Sequence, residues 1–102
     1  MAVILLADDE ARIRRLVADF IKRDGHTILE AADGLEALEL FGSHPEIELA
    51  ILDVMMPGAD GFAVLSQIRA LEDGSARLPV MLLTARAEEL DQLHGLDRKS
   101  VV

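Results

Sequence analysis

The chain has 102 residues, 51% hydrophobic and 28% charged, which fits one compact domain. Its 19 Asp and Glu against 10 Lys and Arg give a net charge of −9, which disfavours a nucleic-acid surface and suits a cation site or a basic partner. With no cysteine, disulfides, thiolate nucleophiles and Cys-ligated metals are excluded. No apolar run approaches the roughly 20 residues of a membrane span, and Met1 enters an apolar segment without a basic flank, so a cytoplasmic location away from membranes is expected.

Val3-Ile4-Leu5-Leu6-Ala7 is a short, continuous apolar run of the kind that forms a buried parallel strand. Asp8, Asp9 and Glu10 end it. From about Glu10 to Asp24, Ile13, Leu16, Val17, Phe20 and Ile21 recur at helical spacing, and Arg12, Arg14, Arg15, Lys22 and Arg23 take the solvated faces. Gly25 fits the helix stop. Thr27 to Glu30 is a second strand, less apolar, as a sheet edge permits. Asp33 has the place of an N-cap before a helix carrying Leu35, Leu38 and Phe41, which Gly42, Ser43 and Pro45 close.

Glu48 to Asp53 is a third strand, apolar until its last residue, and Met55 to Gly61 is a loop with two glycines and a proline. The third helix carries Phe62, Leu65, Ile68 and Leu71, and the polar stretch Glu72 to Arg77 closes it. Pro79 to Thr84 is the fourth strand. Ala87 to His94, with Leu90 and Leu93, reads as a fourth helix. Four βα units in succession imply an α/β protein with a mainly parallel sheet covered on both faces.

Ligand sites in such sheets lie beyond the C-terminal strand ends, where the winding reverses. The groups there are Asp8, Asp9 and Glu10 after the first strand, Asp53 after the third and Thr84 after the fourth, with Glu30 a more ambiguous candidate. If the first and third strands are neighbours, a spacing of about 4.8 Å brings their carboxylates within reach of one ion. Hard oxygen donors without His or Cys favour Mg²⁺ or Mn²⁺ over zinc, and Mg²⁺ characteristically adds a phosphate oxygen. Asp53 can then serve as a nucleophile that forms an aspartyl phosphate. The plainer alternative is helix capping, which Asp9 could perform for the first helix.

Three segments carry a specific likeness: Ile4-Leu5-Leu6-Ala7-Asp8-Asp9-Glu10, Leu52 to Gly61, and Leu82-Leu83-Thr84-Ala85. In order and spacing, from about Val3 to about Asp97, they resemble the receiver domain of two-component response regulators, nearest to receivers of winged-helix transcription factors. The resemblance implies a flavodoxin-like three-layer α/β sandwich with strand order 2-1-3-4-5. It implies that Asp53 accepts a phosphoryl group from a sensor histidine kinase. Asp8 and Asp9, Asp9 more directly, would hold Mg²⁺ together with Asp53 and the backbone carbonyl of Met55. Thr84 would be the switch hydroxyl and Ala85 the small residue that leaves the site accessible. The family signals by phosphotransfer to its own Asp and is not a stand-alone metabolic enzyme; its first helix often faces the kinase.

From Lys99 onward the family pattern stops. The expected receiver unit is 1–98, with 99–102 outside it and the fifth strand and fifth helix missing, and Lys99 does not stand for the family's phosphate-binding Lys. The expected consequences are a bare fourth-strand edge, a partly bared first helix, self-association through that edge or the fourth helix, and an impaired output switch. Three other readings compete. An Asp-nucleophile phosphohydrolase wants an acid two residues after the nucleophile, where this chain has Met55. Nucleotide binding wants glycines where the chain has Ala7-Asp8-Asp9-Glu10. A receiver-like interaction module that takes no phosphate is the remaining rival.

Overall fold

The computed structural model describes residues 1–72 and 77–83. Within them the elements are β1 (Val3–Ala7), α1 (Ala11–Lys22), β2 (Thr27–Ala31), α2 (Gly34–Ser43), β3 (Leu49–Asp53), α3 (Gly61–Leu71) and β4 (Val80–Leu83). The strands form one parallel sheet of order β2-β1-β3-β4. The chain steps from β1 out to β2, returns across β1 to β3, and continues to β4. The winding therefore reverses between β1 and β3.

Continuous apolar strands are required because both faces are covered. On one face Leu5, Ala7, Ala50, Leu52, Val80 and Leu82 pack with Ala37 of α2 and with Val64 and Ile68 of α3. On the other face Ile4, Leu6 and Ile51 pack against Ala18 of α1. Right-handed crossovers dictate this division, with α1 on one side and α2 and α3 on the other. Leu5, Leu6 and Leu52 are fully buried, each stabilising the fold by roughly 1.5–3 kcal/mol through burial.

Boundaries depart from the sequence reading in physically interpretable places. Pro79 lies outside β4: it has no N–H to donate, although its carbonyl accepts from Ala50 N at 3.0 Å. Thr84, Ala85 and the helix expected over Ala87 to His94 lie outside the described residues. Helix α1 starts at Ala11, and its N-cap is Glu10, whose side chain makes no cap bond. Its apolar stripe is wider than the sheet covers. Val17, Ala18 and Ile21 face inward, while Leu16 and Phe20 are 71% and 70% exposed.

The other helix starts follow the expected chemistry. Asp33 Oδ1 accepts from Glu36 N at 2.8 Å, and Glu36 Oε1 reaches back to Ala32 N at 2.7 Å. Asp60 Oδ1 accepts from Ala63 N at 2.8 Å and caps α3. At the opposite edge of the sheet from the strand C-termini, Glu72 clips the end of α3 to the start of β4. It accepts from Leu78 N at 2.6 Å and from Arg69 Nη1 at 3.0 Å, and Arg69 Nη1 also donates to Leu78 O at 2.8 Å.

Candidate metal centre

The site is built by the ladder between β1 and β3. Ala7 pairs with Leu52, so the next residues along the two strands, Asp8 and Asp53, stand side by side at the winding reversal. Asp8 is buried at 6% exposure, Asp53 is half-buried and Asp9 is exposed. One carboxylate oxygen from each of Asp8, Asp9 and Asp53 lies within 4.8 Å of the other two. Such a donor set, all hard oxygens, fits an octahedral divalent cation that keeps several waters.

The electrostatics call for that cation. Burial, then the charge of Asp8, pushes Asp53 up from 3.8 to about 6; Asp9 adds to the rise, and the Met55 N–H opposes it. That N–H lies 3.4 Å from Asp53 Oδ1, a long contact. Asp8 is held on three sides. Its N–H donates to Ala31 O at 3.1 Å, its Oδ1 accepts from Glu10 N at 2.9 Å, and its carbonyl accepts from Arg14 Nη1 at 2.9 Å. The orphan amide of Glu10, the N-cap of α1, is thus served by Asp8 and not by Asp9, the residue named in the capping alternative.

Glycines hold the β3–α3 loop against this edge. A Cβ on Gly61 would lie 2.5 Å from Asp53 O, and Gly61 N donates to Val54 O at 3.0 Å. Gly34 at the start of α2 leaves room for Ala59 and Val64 in the same way. Gly58 turns the loop at φ 83°, a conformation open to glycine. The two methionines diverge: Met56 is buried in the core, whereas the Met55 side chain is 54% exposed. With Asp9, Pro57 and Asp60 they line an open cleft of about 480 Å³ beside the carboxylates.

Of the residues singled out from sequence, Asp8, Asp9 and Asp53 come together and Met55 follows in the adjoining loop; Thr84 lies outside the described residues. Glu30 does not join the cluster. It lies on the α1 side of β2, where its Oε1 accepts from Arg14 Nε at 3.0 Å. Arg14, which the sequence reading left on a solvated face, was the residue missed. Its place in helical phase with Ala18 and Ile21, both inward, is the signal that would have found it. Two histidines make backbone contacts away from the carboxylates: His26 Nδ1 accepts from Ala2 N at 3.0 Å, and His44 Nδ1 lies 3.1 Å from Leu40 O.

Sheet order, crossovers and the placement of the acidic edge define a flavodoxin-like α/β protein. The chain belongs to the response regulator receiver domain family, whose model matches residues 4–100. It is 42% identical over 94 residues to the transcriptional regulatory protein ResD of Bacillus subtilis, covering 92% of this chain and 37% of ResD. It therefore spans little more than a third of the length of such relatives. Among solved structures, the receiver domain of a Francisella response regulator superposes with a TM-score of 0.81 at 28% identity, covering 98% of this chain and 79% of that one. The response regulator TrrA of Thermotoga maritima, solved in complex with Mg²⁺-BeF, gives 0.77 at 38% identity, covering 86% of this chain and 73% of TrrA. Among the described residues no helix is long and apolar enough to cross a membrane.

Proposed function

We propose that this chain is a phosphorelay receiver in which Asp53 is the phosphoacceptor. The observation that carries the reading is the cluster of Asp8, Asp9 and the half-buried Asp53, whose exposed member Asp9 lines an open cleft with Met55 and Asp60. An Asp53 carboxylate oxygen attacks the phosphorus of a phosphohistidine on a sensor histidine kinase. The new O–P bond forms as the N–P bond breaks, and the imidazole leaves. Asp8, Asp9, Asp53 and the Met55 carbonyl would hold Mg²⁺, or Mn²⁺ in its place. When bound, that cation offsets the charge gathered between the carboxylates and the phosphoryl oxygens. Thr84 is the proposed switch hydroxyl.

The chain's own residues supply orientation. Asp8 is locked by Ala31, Glu10 and Arg14. Gly61 permits the β3–α3 loop to lie against the Asp53 backbone. That the similar protein TrrA was solved in complex with Mg²⁺-BeF supports a divalent cation in this chain as well. A cytoplasmic location, where kinase and receiver can meet, goes with this role.

Incubating the chain with acetyl phosphate and Mg²⁺ and weighing it intact tests the reading. A phosphoryl adduct that is absent in Asp53→Asn and absent with chelator is the expected result. No adduct on a folded, Mg²⁺-binding chain would replace this function with that of an interaction module.

A further inference from the structure

We propose that Arg14 is a positioning residue for the cation site, a strut that sets the peptide joining Asp8 to Asp9; the inference rests on the reading of those carboxylates as metal ligands. The guanidinium bridges two elements. Its Nε donates to Glu30 Oε1 at 3.0 Å, and its Nη1 donates to the carbonyl of Asp8 at 2.9 Å. The side chains of Arg14 and Glu30 are only 14% and 26% exposed, so the pair is largely shielded from solvent.

The carbonyl of Asp8 belongs to the same planar peptide as the N–H of Asp9. Holding that oxygen fixes the plane, and with it the N–Cα bond of Asp9 about which its side chain is set. Glu30 makes the anchor firm because it lies within β2, in register with Leu6 of β1. The strut thus runs from the body of the sheet, through α1, to the turn that carries two of the three carboxylates. Asp8 Oδ1 holds the other side of the turn through Glu10 N at 2.9 Å.

Arginine suits this task and lysine does not. A planar guanidinium presents two donors in a fixed fork, so one side chain can serve a carboxylate and a carbonyl at once. A lysine ammonium at the same place would satisfy one partner with poor geometry for the other. Groups of this kind, which orient ligands without touching the metal, typically contribute 10–100-fold to metal affinity.

The test compares Arg14→Gln, Arg14→Lys, Glu30→Gln and the exposed-neighbour control Arg15→Gln in the full chain. Mg²⁺ affinity is measured by calorimetry, since the chain has no Trp or Tyr for intrinsic fluorescence. Both Arg14 variants are expected to bind Mg²⁺ about tenfold more weakly. Glu30→Gln should show a smaller loss and Arg15→Gln none. Phosphorylation by acetyl phosphate should return to the level of the unmodified chain once Mg²⁺ is saturating. In the metal-free chain, amide exchange at Glu10 should accelerate in the Arg14 variants while the circular dichroism spectrum is kept.

Variants that fold yet bind Mg²⁺ with unchanged affinity would overturn the proposal. If Arg14→Gln fails to fold, unchanged affinity in both Arg14→Lys and Glu30→Gln overturns it equally. Should the unmodified chain bind no Mg²⁺, the ligand assignment fails first. Unchanged exchange at Glu10 then disposes of the strut as well.

Discussion

Gly61 lies directly on the backbone of Asp53, where a Cβ would come within 2.5 Å of the Asp53 carbonyl oxygen and 3.0 Å of Val54 Cα. The neighbours are backbone atoms at the end of a central strand and cannot swing aside as a flexible side chain would. Gly61→Ala is therefore expected to cost about 1–3 kcal/mol through overpacking. It should also slow phosphorylation of Asp53, whose carbonyl must shift to make room. Urea melts followed by circular dichroism, paired with phosphorylation rates at saturating Mg²⁺, check both parts. Retained stability and rate would contradict the contact.

Asp53 gives the metal-free chain a pH signature. Its folded value of about 6 stands above its ordinary 3.8, so the folded state holds the proton more tightly than the unfolded one. Stability associated with this group is lost as pH rises from about 3.8 to about 6, and stays lost above that window. Asp53→Asn has no such loss. With chelator present, the variant should melt above the unmodified chain at neutral pH, and the gap should close as pH falls below the window. Mg²⁺ should raise the melting temperature of the unmodified chain more than that of Asp53→Asn.

Glu72 titrates in the opposite sense. The Leu78 N–H, and after it the Arg69 guanidinium, hold its carboxyl below the ordinary 4.5. Its contribution is present above that value and is lost as pH falls through the lowered one. Glu72→Gln should flatten the acid limb of the stability curve and leave phosphorylation untouched, because the clip lies at the far edge of the sheet. Melts between about pH 2 and 5 make the comparison.

Helix capping separates stability from chemistry in the same way. Asp33→Ala removes the acceptor for Glu36 N and should cost about 1 kcal/mol. Asp60→Ala should cost a similar amount. It should also weaken Mg²⁺ binding, because Asp60 ends the loop that holds Met55, whose carbonyl is proposed as a ligand, and calorimetry on the two variants distinguishes them.

Much of this site could be read before any coordinates. Uninterrupted aliphatic runs in β1, β3 and β4 announced a parallel sheet buried on both faces, and Asp8, Asp9 and Asp53 stood at the strand ends where the winding rules put ligands. Asp33 was legible as a cap because capping depends on residues three apart in sequence. Arg14 and Glu30 were not, since their pairing spans 16 positions and depends on the sheet's third dimension. The closeness of Gly61 to Asp53 was equally hidden, as a missing Cβ leaves no pattern in the chain. Pro79 reads as the first residue of the fourth strand, yet β4 starts at Val80, as the missing N–H of proline argues.

The adjacency of Asp8 and Asp53 has a consequence for engineering the site. Each follows the last pair of the β1–β3 ladder, Ala7 with Leu52, so the gap between them is a step of the backbone lattice and does not depend on how the core side chains interlock. Swaps such as Leu↔Met beneath α2 or α3 will tilt the helices before they alter that step. A variant library that randomises the hydrophobic layers could therefore lose melting temperature over a wide range and still seat an ion with the affinity of the parent.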